Sequence, residues 1–230
     1  MSKVLSLIVL IALGAGGYWL MTNYTFESLS PIESGAESAQ AVSVRDAQLV
    51  EDGAEYTVNV TYPQFGVPVV DLAIEGAVQA SAKSVREEAV KANPVAEGFR
   101  KYELFGTTQG TYVGPDVISA RLVLAQDFGG AHPLPIILSF NFFRENGEEV
   151  TLGDALSLIG LSLEEMAAGA KRQLNERYSE MLIAPEGADA LAENYSTFTI
   201  SASAVTFIFQ PYQVTAYAAG APEVTFERVR

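Results

Sequence analysis

The order of strand and helix patterns places the tightest limit on how this chain of 230 residues can fold. Loose alternation of apolar and polar residues in Val42–Val50 and Glu55–Tyr62 predicts an opening hairpin around Glu51-Asp52-Gly53. A helical pattern, three strand patterns, a second helical pattern and three more strand patterns follow. Short hairpin loops join most of the strands. The sequence therefore predicts an α+β fold, with a mostly antiparallel sheet packed with two main helices.

Two segments carry apolar residues at helical spacing. One runs from about Val67 to Lys91 with Pro68 in its first turn, and the other runs from about Leu163 to Leu182. Ser162 and Glu165 form a capping box before the second helix. Thr151 with Asp154 predicts the start of a short helix, and another is expected at Ala188–Glu193. The later strands are predicted at Lys101–Val113, Val117–Gln126, Pro135–Phe143, Thr197–Ser201, Val205–Phe209 and Val224–Val229.

An uncharged, mostly apolar run from Val4 to Met21 predicts an N-terminal transmembrane helix. As a helix it would span roughly 27 Å, close to the hydrocarbon thickness of a bilayer. Lys3 precedes the run and Glu27 follows it, which favours a C-terminal domain on the extracytoplasmic side, in the periplasm or at the cell surface.

A cleaved signal peptide is the alternative interpretation of this run, with Val4–Leu13 as its apolar region. The apolar character continues through Tyr18 to Met21, which favours an uncleaved anchor. We therefore predict an anchor within residues 1–26, a Ser-, Gly- and Glu-containing tether at 27–41, and a folded domain at 42–230.

Composition narrows the possible partners. The chain has 28 acidic and 14 Lys or Arg residues, giving a formal net charge of −14. Such a surface repels phosphates, so we expect no nucleic-acid partner. It would attract a basic protein, but acidity alone usually means only solubility, and the sequence favours that interpretation. There is no cysteine, which excludes disulfides, thiolate zinc sites and thiol catalysis.

His132 is the only histidine and lies in the Gly-rich loop Gly129–Pro133. It could serve as a general base or ligand with help from Asp127. Alternatively, it could hydrogen-bond backbone and fix the turn before Pro133, which is the more common role for such a residue. No Gly-x-Ser-x-Gly motif and no phosphate-binding loop occur. We therefore predict no catalytic residues, no metal and no cofactor.

Several further segments resemble one family when their order and spacing are taken together. They are Tyr62-Pro63, Gly129–Pro133, Ser139-Phe140-Asn141, Gly147, Thr151–Leu156 and the block Phe207–Gly220. This set resembles the extracellular domain of RsiV-type anti-sigma factors, which is also appended to some peptidoglycan deacetylases and is largely of unknown function.

The resemblance implies an α+β domain outside the membrane. In RsiV-type proteins that domain acts as a receptor for lysozyme. Only Met1–Lys3 precede the apolar run, so we expect no cytoplasmic sigma-binding part, and the deacetylase domain is not expected either. The matching motif positions give the candidate binding residues Gly130, His132, Pro133, Pro211, Tyr212, Tyr217 and Gly220.

Tyr212 and Tyr217 have two interpretations. Aromatic side chains often anchor interfaces, and these two flank the turn after Pro211. They could instead pack beneath the loop that ends at Gly220, and this packing is the interpretation that the sequence favours.

Three functions remain open at this stage. The first is a membrane-tethered binding module of the cell envelope, held by residues 4–21, whose ligand is lysozyme, another basic protein or a wall glycan. The second is a peptidoglycan hydrolase that uses His132 with nearby carboxylates. The third is a structural subunit of a membrane assembly.

Overall fold

The computed structural model describes residues 42–92 and 100–229. Their strands and helices come in the order β1 Arg45–Asp52, β2 Tyr56–Gln64, α1 Pro68–Ala89, β3 Tyr102–Val113, β4 Val117–Asp127, β5 Leu134–Phe143, α2 Leu152–Ile159, α3 Leu163–Tyr178, β6 Phe198–Ile200, β7 Ala204–Ile208 and β8 Glu223–Glu227. Short 3-10 turns occur at Ser179–Met181, Pro185–Ala188, Ala192–Tyr195 and Tyr217–Ala219. The predicted order of the strands and of the two main helices is confirmed.

The first five strands form one sheet in the order β1-β2-β3-β4-β5. Its β1–β2, β3–β4 and β4–β5 pairs are antiparallel, and only β2–β3 is parallel. The parallel pair follows from the intervening helix α1, because parallel neighbours need a crossover connection. β6, β7 and β8 form a second, antiparallel sheet. The predicted α+β class and mostly antiparallel pairing are confirmed.

Helix α1 packs its apolar face on the five-stranded sheet. Its buried residues repeat at helical spacing and join the buried residues of β2, β3 and β4 in one core. The helix begins at Pro68, as the sequence predicts, and its entry is fixed by Asp71. The Asp71 carboxylate accepts hydrogen bonds from the backbone N–H groups of Phe65 at 2.6 Å and Gly66 at 3.0 Å.

Helices α2 and α3 contribute to a second core with the three-stranded sheet. Both begin with a capping box, formed by Thr151 with Asp154 and by Ser162 with Glu165. Each box satisfies two backbone N–H groups that an isolated helix start would leave free. Helix α3 ends at Tyr178, a few residues before the predicted end, and continues as a 3-10 turn.

The predicted short helix at 188–193 is wrong. Two separate 3-10 turns, Pro185–Ala188 and Ala192–Tyr195, flank an extended Asp189. The hydroxyl of buried Tyr195 donates to the Ala188 carbonyl at 2.7 Å, and this contact replaces helical hydrogen bonding there.

Buried polar side chains join the two sheets. The Ser119 hydroxyl donates to the Asn141 side-chain oxygen at 2.8 Å and accepts from the Ile200 N–H at 3.1 Å. The Asn141 amide donates to the Phe198 carbonyl at 2.7 Å. Ser119 and Asn141 are almost fully buried, so this network fixes where β6 lies on β4 and β5.

No helix in residues 42–92 or 100–229 is long and apolar enough to cross a membrane. The predicted anchor and the predicted tether lie outside the described residues.

Candidate binding site

Two segments far apart in sequence bring three aromatic rings together. The loop between β4 and β5 supplies His132, and the segment between β7 and β8 supplies Tyr212 and Tyr217. The His132 ring stacks on Tyr217 with centroids 4.0 Å apart and an interplanar angle of 22°. Tyr212 lies 5.5 Å from Tyr217 and 6.5 Å from His132, centroid to centroid. We call these three residues the ring cluster.

Local hydrogen bonds shape the loop that carries His132. Gly129 has a positive φ of 75°, and its N–H donates to the Asp127 carboxylate at 2.8 Å. That backbone geometry is easy for glycine and costly for a residue with a Cβ. Gly130 is exposed in the same turn. The two glycines therefore belong to the turn, while His132 provides the side chain.

Tyr212 is held in a strained backbone conformation. Its φ of 70° is the only positive φ of a non-glycine residue in the part of the chain that the structure describes. The left-handed region costs a residue with a Cβ roughly 1–2 kcal/mol. The turn is closed by Gln213 N–H donating to the Gln210 carbonyl at 2.9 Å and by Gln210 N–H donating to the Gln213 side-chain oxygen at 2.9 Å.

The side chain of Gln210 fixes this turn against the five-stranded sheet. Its amide oxygen accepts from the Ile137 N–H at 3.0 Å, and its amide nitrogen donates to the Ile137 carbonyl at 2.8 Å. One glutamine thus replaces a missing neighbouring strand at the edge of β5. This positioning residue was not predicted as a site residue, although it belongs to the block Phe207–Gly220 that carries the family resemblance.

His132 makes both of its ring hydrogen bonds to neutral oxygens. Nδ1 lies 3.0 Å from the Pro133 carbonyl, and Nε2 lies 3.3 Å from the Tyr212 hydroxyl. The carbonyl can only accept, so we assign the proton of neutral His132 to Nδ1 and let Nε2 accept from Tyr212. The Tyr217 hydroxyl donates to the same Pro133 carbonyl at 3.2 Å.

Asp127, the carboxylate that the catalytic alternative would pair with His132, has other partners. It accepts from Gly129 N–H and lies 4.0 Å from the Arg100 guanidinium. The hydrogen bond from His132 Nδ1 to the Pro133 carbonyl agrees with the alternative in which His132 binds backbone and fixes the turn. No group of three or more His, Asp or Glu side chains in the described ranges is arranged to hold a metal ion.

The remaining predicted site residues lie around the ring cluster in different roles. Pro133 supplies the shared carbonyl acceptor, and Pro211 leads into the strained Tyr212. Gly220 closes the 3-10 turn after Tyr217 with a φ of 73°, and its N–H donates to the Tyr217 carbonyl at 2.9 Å. The structure thus brings His132, Pro133, Tyr212 and Tyr217 into direct contact and leaves Gly130 and Gly220 as turn residues.

A second stretch borders the segment that carries the tyrosines. Residues 181–184 run antiparallel to residues 214–216, with Ala216 N–H donating to Met181 O at 3.0 Å and Ile183 N–H donating to Val214 O at 3.0 Å. Met181 and Ile183 are 47% and 58% exposed, and Tyr212 is 49% exposed. We call residues 180–186 the rim segment.

Charge around these elements is one-sided. Between Arg177 and Arg228 the sequence has six acidic residues and no Lys or Arg. Between Arg121 and Arg144 the only Asp, Glu, Lys or Arg residue in the sequence is Asp127. In the rim segment, Glu180 and Glu186 are exposed, and the described structure records no ion pair for either of them. The arrangement combines exposed aromatic and apolar side chains with negative charge.

Comparison with known proteins agrees with this fold. Residues 157–228 match the family model described as "Protein of unknown function (DUF3298)". No curated protein sequence matches the chain. The fold is similar to the crystal structure of a DUF3298 family protein from Pseudomonas aeruginosa PAO1, with a TM-score of 0.56 at 16% identity, over 82% of this chain and 92% of that one.

A DUF3298 family member from Bacteroides fragilis NCTC 9343 gives a TM-score of 0.51 at 17% identity, over 82% of this chain and 91% of that one. At these identities the likeness shows the fold alone. The family-model match includes Tyr212 and Tyr217 but not His132. The predicted resemblance is therefore confirmed at a coarser level, because residues 157–228 carry a DUF3298 domain match and the chain has the fold of two solved DUF3298 proteins.

Proposed function

We propose that this chain is a membrane-tethered, extracytoplasmic binding module of the cell envelope that captures a basic protein. The ring cluster and the rim segment form its contact surface. The observation that carries the proposal is Tyr212, a half-exposed aromatic residue held at a positive φ beside His132 and Tyr217.

The strain at Tyr212 supports a functional role for its ring. A glycine at this position would adopt the same backbone without cost. The hydroxyl makes a 3.3 Å hydrogen bond to His132, the ring has partial contact with its neighbours, and the residue as a whole is nearly half exposed. Strained residues that persist despite an easier alternative cluster at functional sites.

The surroundings of the ring cluster favour a cationic partner. Exposed tyrosines are frequent interface anchors, and their faces attract Lys and Arg side chains. The acidic residues of the rim segment would add long-range attraction and raise the association rate. Met181 and Ile183 supply exposed apolar area that a bound partner would bury from solvent.

The membrane location is supported by sequence. The apolar run at residues 4–21 would hold the domain near the bilayer, and the charge asymmetry around it favours the outer side. The resemblance to the extracellular domain of RsiV-type proteins makes lysozyme the natural probe for a basic partner.

Isothermal titration of the full chain in detergent with lysozyme tests the proposal. We expect binding at low salt that weakens as salt rises, because the attraction is partly electrostatic. Tyr212→Gly should raise the Kd by about tenfold or more, equivalent to about 1.4 kcal/mol. Phe105→Ala is the matched control, since Phe105 is 41% exposed and lies on β3.

Soluble peptidoglycan fragments form the second arm of the experiment. If titration with the fragments releases or absorbs heat and titration with lysozyme does not, the ligand is a wall glycan and not a basic protein. Absence of lysozyme binding at low salt, or an equal effect of the Tyr212 and Phe105 substitutions, would contradict the proposed surface.

A further inference from the structure

The outer edge of β1 is a backbone surface that the other residues of the described ranges 42–92 and 100–229 do not cover. We propose that β1 pairs antiparallel with β1 of a second copy, in a register centred on Gln48, and so joins two five-stranded sheets.

Other segments of the chain occupy part of the opposite edge of the five-stranded sheet, through a side chain and through backbone groups. On β5, the Gln210 amide binds both backbone groups of Ile137. Nearby, the Asn141 carbonyl accepts from Val150 N–H at 2.8 Å, and Phe143 N–H donates to the Glu148 carbonyl at 2.8 Å. This edge therefore has few backbone groups left for another strand.

The three-stranded sheet is covered in the same way. On β8, the Gln173 amide accepts from Thr225 N–H at 3.1 Å and donates to the Thr225 carbonyl at 2.9 Å. On β6, Ser139 accepts from Phe198 N–H at 3.1 Å, while Ser119 and Asn141 bind the Ile200 N–H and the Phe198 carbonyl. Side chains thus occupy part of each outer edge of this sheet.

The phase of the β1–β2 hairpin shows which groups of β1 face outward. Gly53 N–H donates to the Tyr56 carbonyl at 2.9 Å, and the pairing continues in unbroken register to Arg45 opposite Gln64. Because hydrogen-bonded and non-hydrogen-bonded pairs alternate, the odd-numbered residues face β2. The backbone groups of Asp46, Gln48 and Val50 therefore point away from the sheet.

Within the described ranges, these outward backbone groups have no protein partner. β1 has charged residues only at its two ends, and it has no proline, glycine, lysine or bulge over its eight residues to block edge pairing. Val50 is 65% exposed at this edge. The outward backbone groups of β1 are therefore available to pair with another strand.

Charge complementarity selects a second copy of β1 as that strand. In the register centred on Gln48, Arg45 stands opposite Glu51 of the other copy on both sides of the two-fold axis, and Ala47 stands opposite Leu49. The outward groups of Asp46 and Val50 meet each other as a hydrogen-bonded pair. A register centred on Leu49 would place Asp46 against Asp52 and is disfavoured by like charge.

Cysteine cross-linking of the full chain in detergent tests this register without background, because the sequence contains no cysteine. In the proposed pair the two Gln48 Cα atoms are about 5.5 Å apart, within the range of a disulfide. The two Asp46 Cα atoms are offset by four residues, on the order of 14 Å along the strand. Gln48→Cys should therefore form a covalent dimer under mild oxidation, at least about fivefold faster than Asp46→Cys.

A mixture of Asp46→Cys and Val50→Cys chains serves as the positive control, since these positions face each other in the proposed register. We expect that mixture to link more than either variant alone. Equal linking at positions 46 and 48, or no linking at 48, would overturn the proposal. Gln48 and Asp46 are both exposed, so neither substitution should disturb the core. Unchanged thermal unfolding of each variant confirms that it folds.

Discussion

The imidazole ring of His132 and the phenol ring of Tyr217 lie face to face, with centroids 4.0 Å apart. Stacked aromatic pairs contribute about 0.5–1.5 kcal/mol beyond the area they bury. A double-mutant cycle with His132→Ala and Tyr217→Ala should therefore give a coupling free energy of about 0.5–1.5 kcal/mol in denaturant unfolding. Simple additivity of the two substitutions would show that the rings do not support each other.

Substitutions at Tyr212 separate backbone strain from the loss of the ring. Tyr212→Gly and Tyr212→Ala both delete the ring, but only alanine keeps a Cβ at a φ of 70°. The glycine variant should therefore be more stable than the alanine variant by about 1 kcal/mol, the reverse of the usual order of the two residues. Chemical denaturation of both variants measures the difference in the free energy of unfolding. A more stable alanine variant would contradict the claim that the backbone at position 212 is strained.

Gln210 should be the side chain that most strongly fixes the ring-bearing turn. Gln210→Met keeps the length of the side chain and leaves the N–H and carbonyl of buried Ile137 without their partner. We expect a loss of about 1–3 kcal/mol in the free energy of unfolding. Gln126→Met is the control, because Gln126 makes a single 3.5 Å contact to the Ser81 carbonyl and should cost about 0.5 kcal/mol or less.

Most helices and strands could be predicted from sequence because their signals are local. The apolar spacing of α1, the capping box before α3 and the alternation in β4 each lie within one element. The failure at 188–193 has a tertiary cause, since Tyr195 and Asn194 bind the Ala188 and Asp189 carbonyls and hold that stretch as turns.

The ring cluster could be predicted only as two separate loops. Their meeting depends on Gln210 reaching Ile137 and on the Ser119–Asn141 network, which join segments far apart in the chain. No local pattern encodes those distances. The sequence also favoured packed tyrosines, whereas the structure leaves Tyr212 half exposed and Tyr217 partly buried on His132. The binding role of these residues stays a prediction.

Glu51 links the stability of the domain to pH. Its pKa is lowered from the ordinary value of 4.5, chiefly by hydrogen bonding to Arg86, whose Nε lies 2.9 Å away. Because the folded-state pKa lies below the unfolded one, the stabilisation is complete above the unfolded pKa and is lost as pH falls through the folded pKa.

Glu51→Gln should therefore lower the free energy of unfolding at pH 7, and this deficit should shrink progressively once the pH falls below about 4.5. Denaturant unfolding over a pH series checks the trend. Glu87→Gln is the control, because Glu87 forms an exposed pair with Lys83 at 3.8 Å. A Glu51→Gln deficit that is the same at pH 7 and at pH 3 would refute this role of the carboxylate.

Hydrogen–deuterium exchange of the full chain, with and without saturating lysozyme, tests the proposed binding surface most directly. If the ring cluster and rim segment form one surface, amides in residues 130–134, 180–186 and 211–218 should exchange more slowly together when lysozyme is bound. Amides of α1 should be unchanged. Protection confined to α1 or to other acidic parts of the surface, with these three stretches unaffected, would contradict the account.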